Sequence, residues 1–286
     1  MQTLTKKTHP AKYNAGILDA SAVLIKQYNK DGAPVIYDPF CGVGTVRYLK
    51  QVFPSAIVFG SDIEAEWASQ WSSARVADAT DIDQMRAAVV GRPTPNVICS
   101  SPAFDNGMND HFQPKRERLY NSFLEETSCP IEAEKQLVAA KQNGAKIWRY
   151  NTYRYHLGRA LHENNMGRYN SRSGSIDKYL EIARASAANI AELFPGAIIV
   201  WNTKPAYRTQ PAGKALRSWE SIAEVVDDDK VMIRADTPQL WYEIWTELGY
   251  LQYAVKAVKS PGNREGENRH RFNHDDVSVY IKRKDS

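Results

Sequence analysis

Three short stretches of the chain hold the residue types that chemistry needs, and they recur at intervals that suit one site. The first is "DPFCGVGT", Asp38 to Thr45, where Gly42 and Gly44 let the backbone turn tightly and bring its N–H groups close to a ligand. The second is a pair of acids, Asp62 and Asp78, each closing an apolar run. A carboxylate at the first position can accept both hydroxyls of a ribose, and one at the second can accept from an adenine amino group. The third is "CSSPAFDNGMNDHF", Cys99 to Phe112, which follows the apolar run Asn96-Val97-Ile98. Its Ser101-Pro102-Ala103-Phe104 falls where open α/β sheets place ligands.

The cofactor that fits is adenosine-containing. A nicotinamide dinucleotide is disfavoured, because its G-x-G-x-x-G fingerprint would need glycine where Arg47 stands. The chain has no G-x-x-x-x-G-K-[ST] loop for ATP. S-adenosylmethionine is the remaining common adenosine cofactor of such a sheet, and no metal is expected.

The elements that must position these residues read as alternating strands and helices. Strands are predicted at Val35-Ile36-Tyr37, Ala56 to Asp62, Arg75 to Ala79, Asn96 to Ser100 and Ala197 to Trp201. Helices are predicted from Val43 to Val52, Glu64 to Trp71, Asp81 to about Val90, Ile176 to Leu193 and Pro238 to Leu248. A terminal strand pair is predicted at Tyr250 to Val258 and Val277 to Lys282, joined by a long loop. Short strands with apolar residues on both faces imply a parallel sheet covered on both sides. Trp241, Tyr242 and Trp245 have helical spacing and read as core.

The rhythm breaks at Asp105. Residues 105–175 are polar and irregular, with helices predicted at Arg116–Glu126 and Ile131–Asn143. Such a length exceeds an ordinary loop, so the segment reads as a functional insertion between 1–104 and 176–286. From Lys141 to Ser175 there are seven basic residues (Lys141, Lys146, Arg149, Arg154, Arg159, Arg168 and Arg172) and one acid, Glu163. Trp148, Tyr150, Tyr153, Tyr155 and Tyr169 are threaded among them. Cations that contact phosphates and aromatic faces that stack on bases suit nucleic acid. A solvated loop whose arginines pack along its own tyrosines is the competing reading.

Composition narrows the classes further. The 286 residues are 43% hydrophobic with a net charge of +4, enough for one large domain or a domain with an insertion. No run of eighteen apolar residues suggests a membrane span, and MQTLTKKTHP lacks the apolar core of a secretory signal. Cys41, Cys99 and Cys129 lie far apart with no CxxC pair, so a reducing cytoplasm is the expected compartment.

"DPFCGVGT" resembles the D-P-F-x-G-x-G-T cofactor motif of the amino-group DNA methyltransferases at every fixed position. "HPAKY", His9 to Tyr13, is similar to the N-terminal element that closes over the cofactor in that family. "SPAF" falls where the family carries its catalytic [S/D/N]-P-P-[Y/F/W]. The string "SPAFDNGMNDHF" also resembles S-P-P-Y-x-N-x-M-x-D-H of phage and bacterial DNA methylases, with a loose counterpart for "RYNTYRYHLGRALHENNMG". The resemblance spans about the first 110 residues.

The resemblance implies a Rossmann-like class I methyltransferase sheet that is mostly parallel with a terminal antiparallel strand. Cofactor contacts would come from His9, Lys12, Tyr13, Asp38, Phe40, Gly42, Gly44, Thr45, Asp62 and Asp78. Ser101 and the Pro102 carbonyl would accept hydrogen bonds from an exocyclic amine, and Phe104 would stack on the extruded base. Double-stranded DNA is the implied partner, contacted by Asn106, Lys146, Arg149, Arg154, Arg159, Arg168 and Arg172. A serine at the first catalytic position leans toward cytosine N4 over adenine N6. Ala103 replaces the motif's second proline, which leaves open a weakened or inactive protein that still binds DNA. An RNA substrate and a homodimer are also left open.

Overall fold

The computed structural model describes residues 15–30, 32–102, 114–143, 161–169, 176–259 and 274–283; for 114–118, 141, 168, 206–209, 227 and 274 it describes the backbone alone. Five strands, β1 (Val35–Asp38), β2 (Ile57–Asp62), β3 (Ala74–Val76), β4 (Val97–Ser100) and β5 (Ile198–Thr203), run parallel. With β9 (Tyr250–Lys259) and β10 (His274–Lys282) they form one sheet in the order β3-β2-β1-β4-β5-β10-β9. β10 runs antiparallel to both of its neighbours. This is the Rossmann-like class I methyltransferase arrangement. Its order reverses at β1, whose neighbours are β2 and β4, so the chain leaves β1 and β4 in opposite directions and opens a crevice between them.

Adjacent residues of each strand serve opposite faces, which is why the strands read as continuous apolar runs. One face collects Tyr37, Phe59, Ile98, Ile199, Trp201 and Tyr280 under helices α6 (Ile176–Leu193) and α7 (Thr237–Glu247). The other collects Ile36, Val58, Val97, Cys99, Val200 and Val279 under α1 (Ala15–Tyr28). Trp241 and Trp245, four apart on one helix face, are fully buried in the first of these cores, whereas Tyr242, turned off that face by one position, is exposed rather than core. Trp201 meets both, its ring centroid 4.9 Å from that of Trp241 and 5.3 Å from that of Trp245.

Three features of the fold depart from the sequence reading. The predicted helix from Val43 is a 3₁₀ helix over Thr45–Gln51. Val46 and Leu49, three apart and both buried, suit three residues per turn. The stretch from Thr203 to Ser218 is polar and carries no predicted element, yet contains β6 (Ala206–Pro211). With β7 (Glu220–Asp227) and β8 (Lys230–Ala235) it makes a separate antiparallel sheet, β6-β8-β7. Helix α1 was also unanticipated, although its buried Ile17, Ala20, Ser21, Leu24 and Ile25 lie at helical spacing.

Helices α2 (Ala65–Ala68) and α3 (Ile82–Val89) follow β2 and β3. Within residues 105–175, α4 (Pro114–Thr127) and α5 (Pro130–Gln142) pack around Tyr120, Ala133 and Leu137. The chain then returns to the main body at residues 161–169, with Met166 in the first core and a 3₁₀ turn at Met166–Arg168. Among the described residues no helix is long and apolar enough to cross a membrane.

Candidate functional site

The loop after β1 is held by the two acids that flank it. Asp38 is fully buried, and its Oδ1 accepts from the Phe40 N–H at 3.0 Å and from Ser100 Oγ at 2.6 Å. Asp62 accepts from the Gly42 N–H at 2.8 Å through Oδ2 and from the Glu64 N–H at 2.9 Å through Oδ1. Each carboxylate therefore fastens loop backbone, and each Asp62 oxygen keeps a lone pair for a further donor. Burial pushes the Asp62 carboxyl up to about 7 from the ordinary 3.8, outweighing the two backbone N–H bonds that pull it down.

Two glycines are required by space, and Gly44 by turn geometry as well. Gly44 has φ +76°, and a Cβ there would lie 2.4 Å from the Trp71 ring. A Cβ on Gly60 in β2 would come within 2.6 Å of the Cys41 Cβ and 2.7 Å of the Asp38 carbonyl oxygen. The loop thus crosses directly over β2, pinned by the Cys41 N–H donating to the Ser61 carbonyl at 2.9 Å. Thr45 is buried, and Phe40 meets Trp201 edge-to-face at 6.0 Å between centroids.

Across the crevice, β4 ends at Ser100, whose bond to Asp38 joins the two diverging chains. Ser101 is half-buried and Pro102 buried. Ser101 Oγ accepts from Asn202 Nδ2 at 2.8 Å. Asn202 stands in β5 beside the end of β4, is 1% exposed, and its Oδ1 has no hydrogen-bond partner among the described residues. The sequence reading did not single out Asn202. Its signal was a polar residue directly after the apolar run Ile198-Ile199-Val200-Trp201, at the same strand-end level as Ser101.

Asp78, 7% exposed, follows β3. Its Oδ1 accepts from the Thr80 N–H and hydroxyl, each at 2.8 Å, and its Oδ2 accepts from Asn164 Nδ2 at 2.8 Å. The structure therefore brings Asp38, Phe40, Gly42, Gly44, Thr45, Asp62, Asp78, Ser101 and Pro102 to one end of the sheet. His9, Lys12, Tyr13, Ala103, Phe104, Asn106, Lys146, Arg149, Arg154, Arg159 and Arg172 lie outside the described residues. Arg168 ends the 3₁₀ turn, and its side chain lies outside them too.

Cys41, Cys99 and His162 serve the fold. Cys41 and Cys99 are buried, and burial raises both thiols far above their ordinary range, so neither is a ready thiolate. His162 Nδ1 accepts from the Asn164 N–H within its own turn. Among the described residues no group of three or more His, Cys, Asp or Glu side chains could hold a metal ion.

No protein-family model and no curated protein matches the chain. Solved structures that resemble it include an S-adenosylmethionine-dependent methyltransferase from Clostridium acetobutylicum, 7% identical, with TM-score 0.42, over 95% of this chain and 93% of that one. Another is magnesium protoporphyrin IX methyltransferase from Synechocystis with bound S-adenosylhomocysteine, 9% identical, TM-score 0.42, over 97% and 92%. A third is a TehB-like S-adenosylmethionine-dependent methyltransferase from Corynebacterium glutamicum, 12% identical, TM-score 0.38, over 92% and 88%. The strand order carries the fold assignment independently of these likenesses.

Proposed function

We propose that this protein is an S-adenosylmethionine-dependent methyltransferase that modifies an exocyclic amino group of a base in DNA, cytosine N4 in preference to adenine N6. The observation that carries the reading is the Ser100–Asp38 hydrogen bond at the point where β1 and β4 diverge. It sets the D-P-F-x-G-x-G-T loop beside Ser101-Pro102. The residues present fit the cofactor: a glycine loop that a single Cβ would block at Gly44, and buried acids at three successive strand ends. When bound, the cofactor would supply an electrophilic methyl group.

The chain's own part is alignment. An exocyclic amine is a weak nucleophile because its lone pair is delocalised into the ring. Ser101 Oγ has one lone pair taken by Asn202 and a second that can accept an amine proton. The Pro102 carbonyl would accept the other, turning the nitrogen lone pair toward the methyl group. Phe104 would stack on the flipped base. No covalent intermediate is needed, and in-line positioning carries the rate.

The aromatic and basic run around Lys146, Arg149, Arg154, Arg159, Arg168 and Arg172 supports DNA as the partner, with residues 105–175 as its recognition region. The cytoplasm, where DNA and reduced thiols coexist, is the compartment this reading implies. Nucleosides from the DNA of cells expressing the protein are expected to contain N4-methylcytosine, absent from a Ser101→Ala control. Absence of both N4-methylcytosine and N6-methyladenine, with purified protein inert on varied duplexes, would refute it. Labelled methyl entering RNA instead would move the substrate and keep the chemistry.

A further inference from the structure

After the α4–α5 hairpin, residues 161–169 lie against the carboxyl ends of β2 and β3. Leu161 packs with Val43 and Trp67, and Val43 is the residue between the two glycines of the loop after β1. The His162 N–H donates to Glu64 Oε1 at 2.7 Å, and Asn165 Nδ2 donates to the same oxygen at 2.9 Å. Glu64 is fully buried two residues past Asp62. Asn164 Nδ2 donates to Asp78 Oδ2 at 2.8 Å and to Thr80 Oγ1 at 3.3 Å. One five-residue stretch therefore touches the glycine loop, the end of β2 and the end of β3.

The segment does more than place Leu161 and Met166 in apolar cores. Here its polar bonds go to two carboxylates at the adenosine end of the proposed site, and hydrogen bonds to charged groups are among the stronger ones. We infer that Leu161–Asn165 forms a wall of the adenosine end of the cofactor site, in which Asn164 orients Asp78 to accept the 6-amino group of the purine. With Oδ1 held by Thr80 and one lone pair of Oδ2 held by Asn164, the remaining lone pair of Oδ2 has a fixed direction. A 6-oxo group at the same place would set one acceptor against another. Asn164 is thus a positioning residue for purine identity, and Asn165 anchors the wall through Glu64. The inference rests on the adenosine-cofactor part of the proposed function and is independent of the methyl acceptor.

The test is calorimetric binding of S-adenosylhomocysteine and of its 6-oxo counterpart, S-inosylhomocysteine, with hydrogen exchange read over residues 161–169. The wild type is expected to prefer the adenine ligand and to slow exchange in this segment on binding it. Asn164→Ala is expected to weaken S-adenosylhomocysteine about 10-fold and to bring the ratio of the two ligands toward one. Asn165→Ala is expected to weaken both ligands together, keep their ratio, and speed exchange over 161–169. Unchanged affinity and ratio in Asn164→Ala overturn the inference, as does failure of the wild type to bind S-adenosylhomocysteine. Binding and discrimination as expected, with no methyl transfer to DNA, would refute the proposed reaction and leave this wall standing.

Discussion

Asn202 Nδ2 donates to Ser101 Oγ at 2.8 Å, tying the end of β5 to the end of β4. The hydroxyl that the proposed chemistry uses is therefore held from behind by a buried amide. Asn202→Ala leaves Ser101 free to rotate. The expected result is a fall of about 10-fold or more in kcat, the worth of one such bond, with cofactor affinity unchanged. Single-turnover methylation alongside cofactor titration separates the two quantities.

The Ser100–Asp38 bond is a buried hydrogen bond to a carboxylate. Ser100→Ala removes this donor from a fully buried carboxylate. The expected loss of stability is about 1.5–3 kcal/mol, read from denaturant unfolding. A loss smaller than about 0.5 kcal/mol would show that the bond does not hold the crevice together.

Gly44 cannot accept a side chain. Gly44→Ala combines positive φ with a Cβ placed 2.4 Å from the Trp71 ring. The loop must shift, and S-adenosylhomocysteine binding is expected to be lost, with destabilisation of more than about 1 kcal/mol. Gly213, whose φ is +80° but whose Cβ would meet nothing, is the comparison: Gly213→Ala costs backbone strain alone and leaves binding intact.

Asp62 sets a pH dependence. Its folded pKa of about 7 lies above the ordinary 3.8, so the folded protein holds this proton more tightly than the unfolded chain. The stability it lends is fully present below about pH 4 and is lost as pH rises through about 7. Ribose hydroxyls donating to the carboxylate favour its charged form, so cofactor affinity should rise with pH up to about 7 and then level. Binding at pH 6 should release a proton, measurable by calorimetry in buffers of different ionisation enthalpy, and Asp62→Asn should abolish the release.

The strand runs around Ile36, Val58, Ile98 and Ile199 were legible because a doubly covered parallel strand is apolar at every position. Helix α6 read correctly from Ile176 to Leu193 because one helix face buries residues at regular intervals, with Phe194-Pro195-Gly196 ending it. Strands β6, β7 and β8 were not legible. They form a sheet buried on one side, with Ile222 and Val225 exposed while Val231 and Ile233 are covered. β7 and β8 pair across the two-residue turn Asp228-Asp229 and β6 joins them from further back in the chain, but their exposed apolar residues break the alternation that would mark a half-buried strand.

The parallel strands, the glycine loop and the level at which Asp38, Asp62, Asp78 and Ser101 emerge are written in the order of residues, because strand ends follow from local patterning and turn residues. What those groups face depends on how the chain packs. Asp38 meets Ser100, Ser101 meets Asn202, and Asp78 meets Asn164, across separations of 62, 101 and 86 residues. Buried polar groups must find partners wherever folding brings donors to them. Those partners are set by packing, and no spacing along the chain announces them.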